Sequence, residues 1–305
     1  FPDINLKIFG KGPLEPKIRK LVSKLGLKSK VCIQGHIQRT DLMKEISLRH
    51  QVCGVDRQEL DITDRKQCLE FLGEFRPDSV INAAALTQVD YCETHEEEAF
   101  LINGSGAGNL AEASASVGAL LVHYSTDYIF DGQKTEPYLE EDAPNPQSAY
   151  GRSKLRGEEL VRSNGEAHLI LRTAWLFGQN GVNFIRTILG AAKQGQPLRV
   201  VNDQKGSPTY SRDLAAHTIR MIEAGCRGTY HLTNSGSCTW YQLAACAVEW
   251  AGLKDVQVLP VTTAEFPRPA PRPANSVLAN ARLTREAFPL MRPWQAAARE
   301  YVMTL

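Results

Sequence analysis

Leu120-Leu121-Val122-His123-Tyr124-Ser125-Thr126-Asp127, followed about two dozen residues later by Tyr150-Gly151-Arg152-Ser153-Lys154, is the stretch on which the reading of the fold turns. The first run is apolar and reads as a buried strand that ends at the Thr126 hydroxyl. If the second run is helical, residues four apart share a face, and the Tyr150 phenol and Lys154 ammonium point the same way. A phenol titrates near ~10 in water. A cation held beside it favours the phenolate and lowers that value. The pair then forms a proton donor usable near neutral pH, as reduction of a ketone requires. Thr126 can give the same oxygen a second hydrogen bond.

Alone, a Tyr-x-x-x-Lys pair also describes a solvated helix face. A strand ending in Ser-Thr, then a long loop, then Tyr-x-x-x-Lys opening a helix resembles the short-chain dehydrogenase/reductase superfamily.

Outward from this stretch, the chain alternates strands with helical segments. Upstream, Val52-Cys53-Gly54-Val55-Asp56 is an apolar strand ending in an acid, followed by Arg57 and Leu60-Asp61-Ile62-Thr63-Asp64. In a doubly wound nucleotide-binding fold, an acid at the end of the second strand bonds the adenosine ribose, and a neighbouring Arg accommodates a 2′-phosphate. With both side by side, the choice between NADH and NADPH stays open. A helix over 64–74 leads to the strand Ser79-Val80-Ile81-Asn82-Ala83-Ala84-Ala85, whose small end lets a flat cofactor lie close to the backbone. Thr87, Val89 and Asp90 follow in a loop. Residues 96–117 read as one long helix. Its Gly104-Ser105-Gly106-Ala107-Gly108 patch resembles a phosphate loop but follows no strand, so close helix packing is the better reading.

Downstream, the Tyr150 helix runs to about Ser163 and a strand over 168–176 follows. Further helices are read over 211–224 and 239–252, and strands over 198–201, 230–234 and 256–261. A Pro-rich loop over 267–273 carries Arg268 and Arg272.

The 305 residues suffice for one large α/β domain or two smaller ones. Hydrophobic residues make up 43% and charged residues 23%, ordinary for a globular chain, and the net charge of +1 gives no reason to expect a nucleic-acid partner. Seven Cys are dispersed, without a Cys-x-x-Cys pair, which points to free thiols in a reducing cytoplasmic compartment and to no metal site. No apolar run approaches the length of a membrane span. The start at Phe1-Pro2-Asp3 suggests a piece of something longer.

Residues 1–47 read differently. The strand Leu6–Gly10, Lys11-Gly12-Pro13, an amphipathic basic helix over 14–25 and a second strand Val31–Gly35 resemble part of the nucleotide-binding half of a GT-B glycosyltransferase. The acidic motif that grips the donor sugar there is absent, so glycosyl transfer is not expected.

The runs Asp56–Asp64, Asn82–Ala85, Ser125–Gly132, Tyr150–Lys154, Asp203-Gln204-Lys205-Gly206-Ser207-Pro208-Thr209 and Arg272–Ser276 together resemble the dTDP-4-dehydrorhamnose reductase family over about residues 50–303. The resemblance implies an α/β fold, a doubly wound parallel (Rossmann-type) sheet with a smaller C-terminal substrate domain. It implies transfer of hydride from NADPH or NADH to C4 of a nucleotide-linked 4-keto-6-deoxy sugar. Thr126, Tyr150 and Lys154 would be catalytic, and Tyr150 and Lys154 would also touch the cofactor. Asp56, Arg57, Asp61 and Ile62 would surround the adenosine, and Ala83, Ala84 and Ala85 the cofactor's middle. Thr87, Val89, Trp175, Asn183 and Arg272 would line the sugar-nucleotide site, with Arg272 forking onto the pyrophosphate. The expected partner is a nucleotide sugar, with a homodimer open and no membrane partner.

The family's glycine-rich first turn, Gly-x-x-Gly-x-x-Gly, holds the cofactor pyrophosphate on backbone amides. Here Gly35-His36-Ile37-Gln38-Arg39-Thr40-Asp41 keeps one glycine. Residues 1–48 are therefore expected to stand in for the first βα unit, 49–178 to bind the dinucleotide, and 179–305 to form mainly the substrate domain, with 208–235 returning to the cofactor domain. Weakened cofactor binding is expected. A non-catalytic reductase-like subunit, as in the regulatory β subunit of methionine adenosyltransferase, is the alternative, and the tail of a bifunctional glycosyltransferase is a third.

Overall fold

The computed structural model describes residues 30–34, 50–195, 197–253 and 255–305. The sequence readings over 1–29 and over the glycine-poor turn at 35–41 lie outside the described residues.

Five strands carry the fold: β1 (Lys30–Gln34), β2 (Gln51–Val55), β3 (Ser79–Asn82), β4 (Leu120–Thr126) and β5 (His168–Thr173). With the strand Gly228–His231 they form one six-stranded sheet in which every pairing is parallel. β1 lies between β2 and β3, with Cys32 in register with both Cys53 and Val80. From β1 the chain steps out to β2, returns to the far side as β3, and continues to β4, β5 and the Gly228–His231 edge. This is a doubly wound, Rossmann-type sheet, and the change of direction between β1 and β3 opens a crevice at the carboxyl ends of the strands.

Strands with both faces covered read as continuous apolar runs rather than alternating ones. β2 and β3 are buried throughout, and in β4 only Tyr124 reaches partial exposure. On one face, Val55, Val80, Leu121 and Ile170 pack against Leu72, Leu110 and Val161 of the helices Arg65–Phe75, Ala107–Ser116 and Ala149–Ser163. On the other, Ile81, Val122 and Leu171 meet Leu214 and Ile219 of the helix Ser211–Glu223 and Leu283 of the short helix Ala281–Arg285. A separate core gathers Phe177, Leu189, Leu198, Leu243, Trp294 and Tyr301.

The long helix expected over 96–117 is present as one continuous helical run over 96–116, but not as a uniform α-helix. Glu96–Ala99 is α-helical, Phe100–Gly106 widens into a π-helical stretch, and Ala107–Ser116 resumes the α-helix. The cause is visible at Asn103, whose side chain accepts from Leu86 N at 2.8 Å and donates to Leu86 O and Ser153 Oγ at 3.0 Å each. The neighbouring helix presses in as well: a β-carbon on Gly157 would stand 2.3 Å from the Asn103 carbonyl oxygen. The small-residue patch thus serves close helix packing, at a π-bulge of the kind that marks functional sites.

The Ala149–Ser163 helix begins where the Ser148 hydroxyl accepts from Gly151 N at 3.1 Å. It is tied to β5 by a buried bidentate pair. Arg172 Nε and Nη2 donate to Glu158 at 3.0 and 2.9 Å, and Arg162 adds a third bond at 2.9 Å. Burial alone would push the Glu158 pKa up; Arg172, Ser125 and Arg162 pull it down instead, to about 2.

The strand expected over 168–176 stops at Thr173. Trp175 adopts φ = +47°, a conformation disfavoured for a bulky side chain, and only Leu176–Phe177 continue as a short strand beside Thr209–Tyr210.

Candidate active site

A cleft of about 530 Å³ opens at the carboxyl ends of β3, β4 and β5. That volume is in the range of small-molecule sites. Its wall holds Ala83, Ala84 and Ala85 after β3, Thr126 at the end of β4, Trp175 beyond β5, and Tyr150 and Lys154 on the helix. Thr87, Val89 and Asn183 also line it. Most of the side chains expected at the reacting end are therefore in one place.

Each is held by local structure. Thr126 takes the N-terminal capping position of the single turn Asp127–Ile129, where its hydroxyl accepts from Tyr128 N at 3.2 Å. Tyr150 stands at the start of its helix. The next residue must be glycine, because a β-carbon on Gly151 would lie 2.2 Å from the Tyr128 carbonyl oxygen. That close approach brings the Tyr150 ring edge-on to Tyr128, with centroids 5.7 Å apart, and Tyr150 shares the cleft wall with Thr126. Burial pushes the Tyr150 phenol well above its ordinary value, with the Thr126 side chain acting against that rise. Tyr150 is consequently a protonated donor across the neutral range.

Lys154 is almost fully buried. Its Nζ donates to Tyr124 O at 2.7 Å and lies 3.3 Å from His123 Nε2. Burial pulls its pKa down to about 8, with Glu158 opposing. The Lys154 charge was expected to depress Tyr150; in the structure burial is the largest influence on both groups, in opposite directions. His123 is itself held by Asn82 at 3.1 Å, and burial, then the Lys154 charge, keep it well below its ordinary pKa and hence neutral.

Several expected residues sit elsewhere or are already engaged. Asp56, at the end of β2, accepts from Gln58 N at 2.8 Å and Glu59 N at 3.3 Å, and Arg57 pairs with Asp61 at 3.5 Å. Asp61 also accepts from Thr63. None of these three lines the cleft. The Ile62 side chain is packed in the core, while its carbonyl accepts from Asn109 at 2.8 Å. Arg272 is no solvated loop residue: its guanidinium pairs with Asp90 at 2.9 Å and donates to Ala270 O at 2.9 Å, beside a separate small hollow next to Tyr128. Asn183 caps the helix Phe184–Ala192 and donates to Gly178 O and Tyr301 Oη.

Sequence reasoning missed Asp127, Asn180 and Trp240, which line the cleft, and His123 beneath Lys154. Trp240 stacks on Trp175 with centroids 3.4 Å apart and planes within 7°. No local pattern announces this stack, since the two residues belong to segments distant in sequence. Asp127 was within reach: an acid directly after the reacting Thr is visible in the motif itself.

Among the described residues no cluster of His, Cys, Asp or Glu could hold a metal, and no helix is long and apolar enough to cross a membrane.

A parallel doubly wound sheet thus brings a Thr, a Tyr and a Lys together at its carboxyl edge. Residues 34–305 match the family model described as the RmlD substrate binding domain. The chain belongs to that family. Among its relatives, the spore coat polysaccharide biosynthesis protein SpsK of Bacillus subtilis (strain 168) is 44% identical over 253 residues, covering 83% of this chain and 88% of that protein. The dTDP-4-dehydrorhamnose reductase of Burkholderia thailandensis is 39% identical over 274 residues, covering 84% and 92%. The crystal structure of dTDP-4-dehydrorhamnose reductase from Bacillus anthracis in complex with NADP superposes with a TM-score of 0.88 at 37% identity, over 92% of this chain and 100% of that one. The family match takes in β2 to β5, the cleft and the C-terminal core.

Proposed function

We propose that the chain is an NAD(P)H-dependent sugar-nucleotide reductase that converts the C4 ketone of dTDP-4-dehydrorhamnose, or a closely similar nucleotide-linked 4-keto-6-deoxy sugar, to the alcohol. The observation that carries this is that Thr126, Tyr150 and Lys154 line one cleft at the carboxyl ends of the strands. The relatives named dTDP-4-dehydrorhamnose reductase support the substrate, and the NADP complex of one of them supports the cofactor.

The cleft suits the nicotinamide end of the cofactor. Ala83, Ala84 and Ala85 leave its floor open to a flat group, and Lys154 is a buried cation placed to meet a ribose. Asp56 and Arg57, at the end of β2, are the proposed adenosine contacts. Bound there, NADPH or NADH supplies the hydride that adds to the ketone carbon. Tyr150 then gives its phenolic proton to the oxygen as negative charge develops. Thr126 orients the phenol and bonds the same oxygen. The Lys154 cation stabilises the phenolate that remains, which is where a positive charge accelerates such a step. Thr87, Val89, Asn183 and the Trp175–Trp240 stack are the proposed walls for the sugar and its nucleotide. Arg272 would reach the pyrophosphate by sharing or exchanging its Asp90 partner.

The sequence after Gln34 belongs to this proposal. It carries Ile37, Gln38 and Arg39 in place of the family's glycine-rich pattern. Charge-assisted bonds lost there are worth about 1.5–3 kcal/mol each, so cofactor affinity is expected to be lower than a full glycine-rich turn would give.

A fluorescence titration with NADPH, repeated with NADH, tests the cofactor assignment. Saturable binding followed by turnover with dTDP-4-dehydrorhamnose supports the reductase. Absence of binding at millimolar cofactor would leave a reductase-like scaffold of the non-catalytic kind.

A further inference from the structure

A buried chain of polar groups ends on Lys154. Asn82 and His123 stand opposite each other in the register of β3 and β4, and each is 1% exposed. Asn82 Nδ2 lies 3.1 Å from His123 Nδ1, and His123 Nε2 lies 3.3 Å from Lys154 Nζ. The far end of the chain is a backbone amide, for Ala84 N donates to Asn82 Oδ1 at 3.0 Å.

That amide fixes every hydrogen behind it. A backbone N–H only donates, so the Asn82 oxygen must face Ala84 and the Asn82 amide nitrogen must face His123. The amide nitrogen is itself a donor, so His123 Nδ1 must accept. A neutral imidazole that accepts at Nδ1 carries its hydrogen on Nε2. The doubly protonated ring would have no acceptor for Asn82, and burial and the Lys154 charge disfavour it as well. The Nε2–H therefore points at Lys154. An ammonium only donates, so none of its hydrogens goes to His123. The neutral amine, by contrast, can accept the Nε2–H.

Building on the reductase reading, we propose that His123 is a positioning residue for Lys154, whose Nε2–H, set by Asn82 and the Ala84 amide, turns the ammonium hydrogens to Tyr124 O and into the cleft and opposes the ammonium charge. One Nζ hydrogen meets Tyr124 O at 2.7 Å. The others are kept for the cofactor ribose and for the oxygen of Tyr150, which share the cleft with Lys154 in the proposed reaction.

The same bond has a pH consequence. A hydrogen bond that only the amine can accept favours the amine and lowers the pKa of Lys154. It acts in the direction of burial and against Glu158. A bond of this kind is worth roughly one pH unit. The titratable and charged groups around Lys154 are His123 on β4, Tyr150 and Glu158 on its own helix, Arg162 and Arg172 beyond Glu158, and Asp127 in the cleft wall.

The test replaces His123 by Gln, whose side-chain oxygen can take the place of Nε2 and accept from Lys154. The pH profile of kcat/KM with NADPH and dTDP-4-dehydrorhamnose is measured for the native chain and for His123→Gln. The alkaline limb, near pH 8 in the native chain, is expected to move up by about one unit in the variant. A uniform fall in kcat/KM with the limb unmoved, the mark of a merely structural role, would overturn the proposal, as would a limb moved down. NMR of the histidine-labelled chain provides an arm that needs no turnover. The nitrogen signals of His123, assigned by their loss in His123→Gln, should show Nε2 protonated and Nδ1 bare across the neutral range, and a hydrogen on Nδ1 would contradict the proposal. Asn82→Asp keeps the ring and offers it an acceptor instead of a donor. It is expected to move the hydrogen to Nδ1, and an Nε2–H retained there would show that Asn82 does not set it. A native chain with the Nε2–H form that oxidises no NADPH would support the orientation of His123 and remove the reductase reading instead.

Discussion

Lys154 Nζ donates to the Tyr124 carbonyl oxygen at 2.7 Å, and this bond joins the two halves of the sequence motif. It ties the Ala149–Ser163 helix to β4 one turn below Tyr150, so the phenol and the ammonium keep a fixed relation to Thr126. Because burial pulls Lys154 down to about 8, the cation is present below that pH and lost above it. Turnover under limiting substrate is therefore expected to fall as pH rises through about 8. The limb should be missing from the residual activity of Lys154→Met, as a pH profile of kcat/KM would show.

Tyr150→Phe removes the proton donor and leaves the ring and its edge contact with Tyr128 in place. A general acid contributes roughly 10²–10⁴-fold, and kcat is expected to drop by that order while NADPH affinity changes little. Steady-state kinetics beside a fluorescence titration separates the two effects.

Gly151→Ala would force a β-carbon to within 2.2 Å of the Tyr128 carbonyl oxygen. The helix start must retreat from the Asp127–Ile129 turn, carrying Tyr150 away from Thr126. Overpacking of this kind costs about 1–3 kcal/mol. A urea melt should show that loss, and kcat should fall with it although no reacting group has been changed.

Glu158→Gln leaves the buried Arg172 guanidinium without its counter-charge. Breaking one side of a buried pair typically costs about 3–5 kcal/mol. The pH dependence follows from the same contact. The folded-state pKa of Glu158 lies below its ordinary value, so its contribution to stability is present above the ordinary carboxylate range and is lost as pH falls toward about 2. Denaturation midpoints measured across acid pH should show this limb in the native chain and not in Glu158→Gln.

How much of this was legible in the sequence depends on how local the signal is. The strand ending at Thr126 and the Tyr150–Lys154 face are local patterns, with periods set by backbone geometry, and the structure places these side chains in one cleft. Asp56 at the end of β2 was legible for the same reason, although its carboxyl is partly occupied by the turn that follows it. The π widening of the long helix was not legible, because there Asn103 reaches Leu86 and Ser153 across space. Trp175 reads as the end of a strand until the fold turns it to a positive φ and stacks it on Trp240. Arg272 in a Pro-rich loop reads as a pyrophosphate partner, and only the fold reveals Asp90 beside it.

The most direct test of the central claim is to supply NADPH carrying deuterium at the transferring position of the nicotinamide, with dTDP-4-dehydrorhamnose, and to examine the product by mass spectrometry and NMR. The account predicts deuterium at C4 of the sugar, a 4-hydroxyl product, and near-complete loss of the label transfer in Tyr150→Phe. Unlabelled sugar with the NADPH intact, under conditions where the chain is folded and the cofactor saturating, would contradict it.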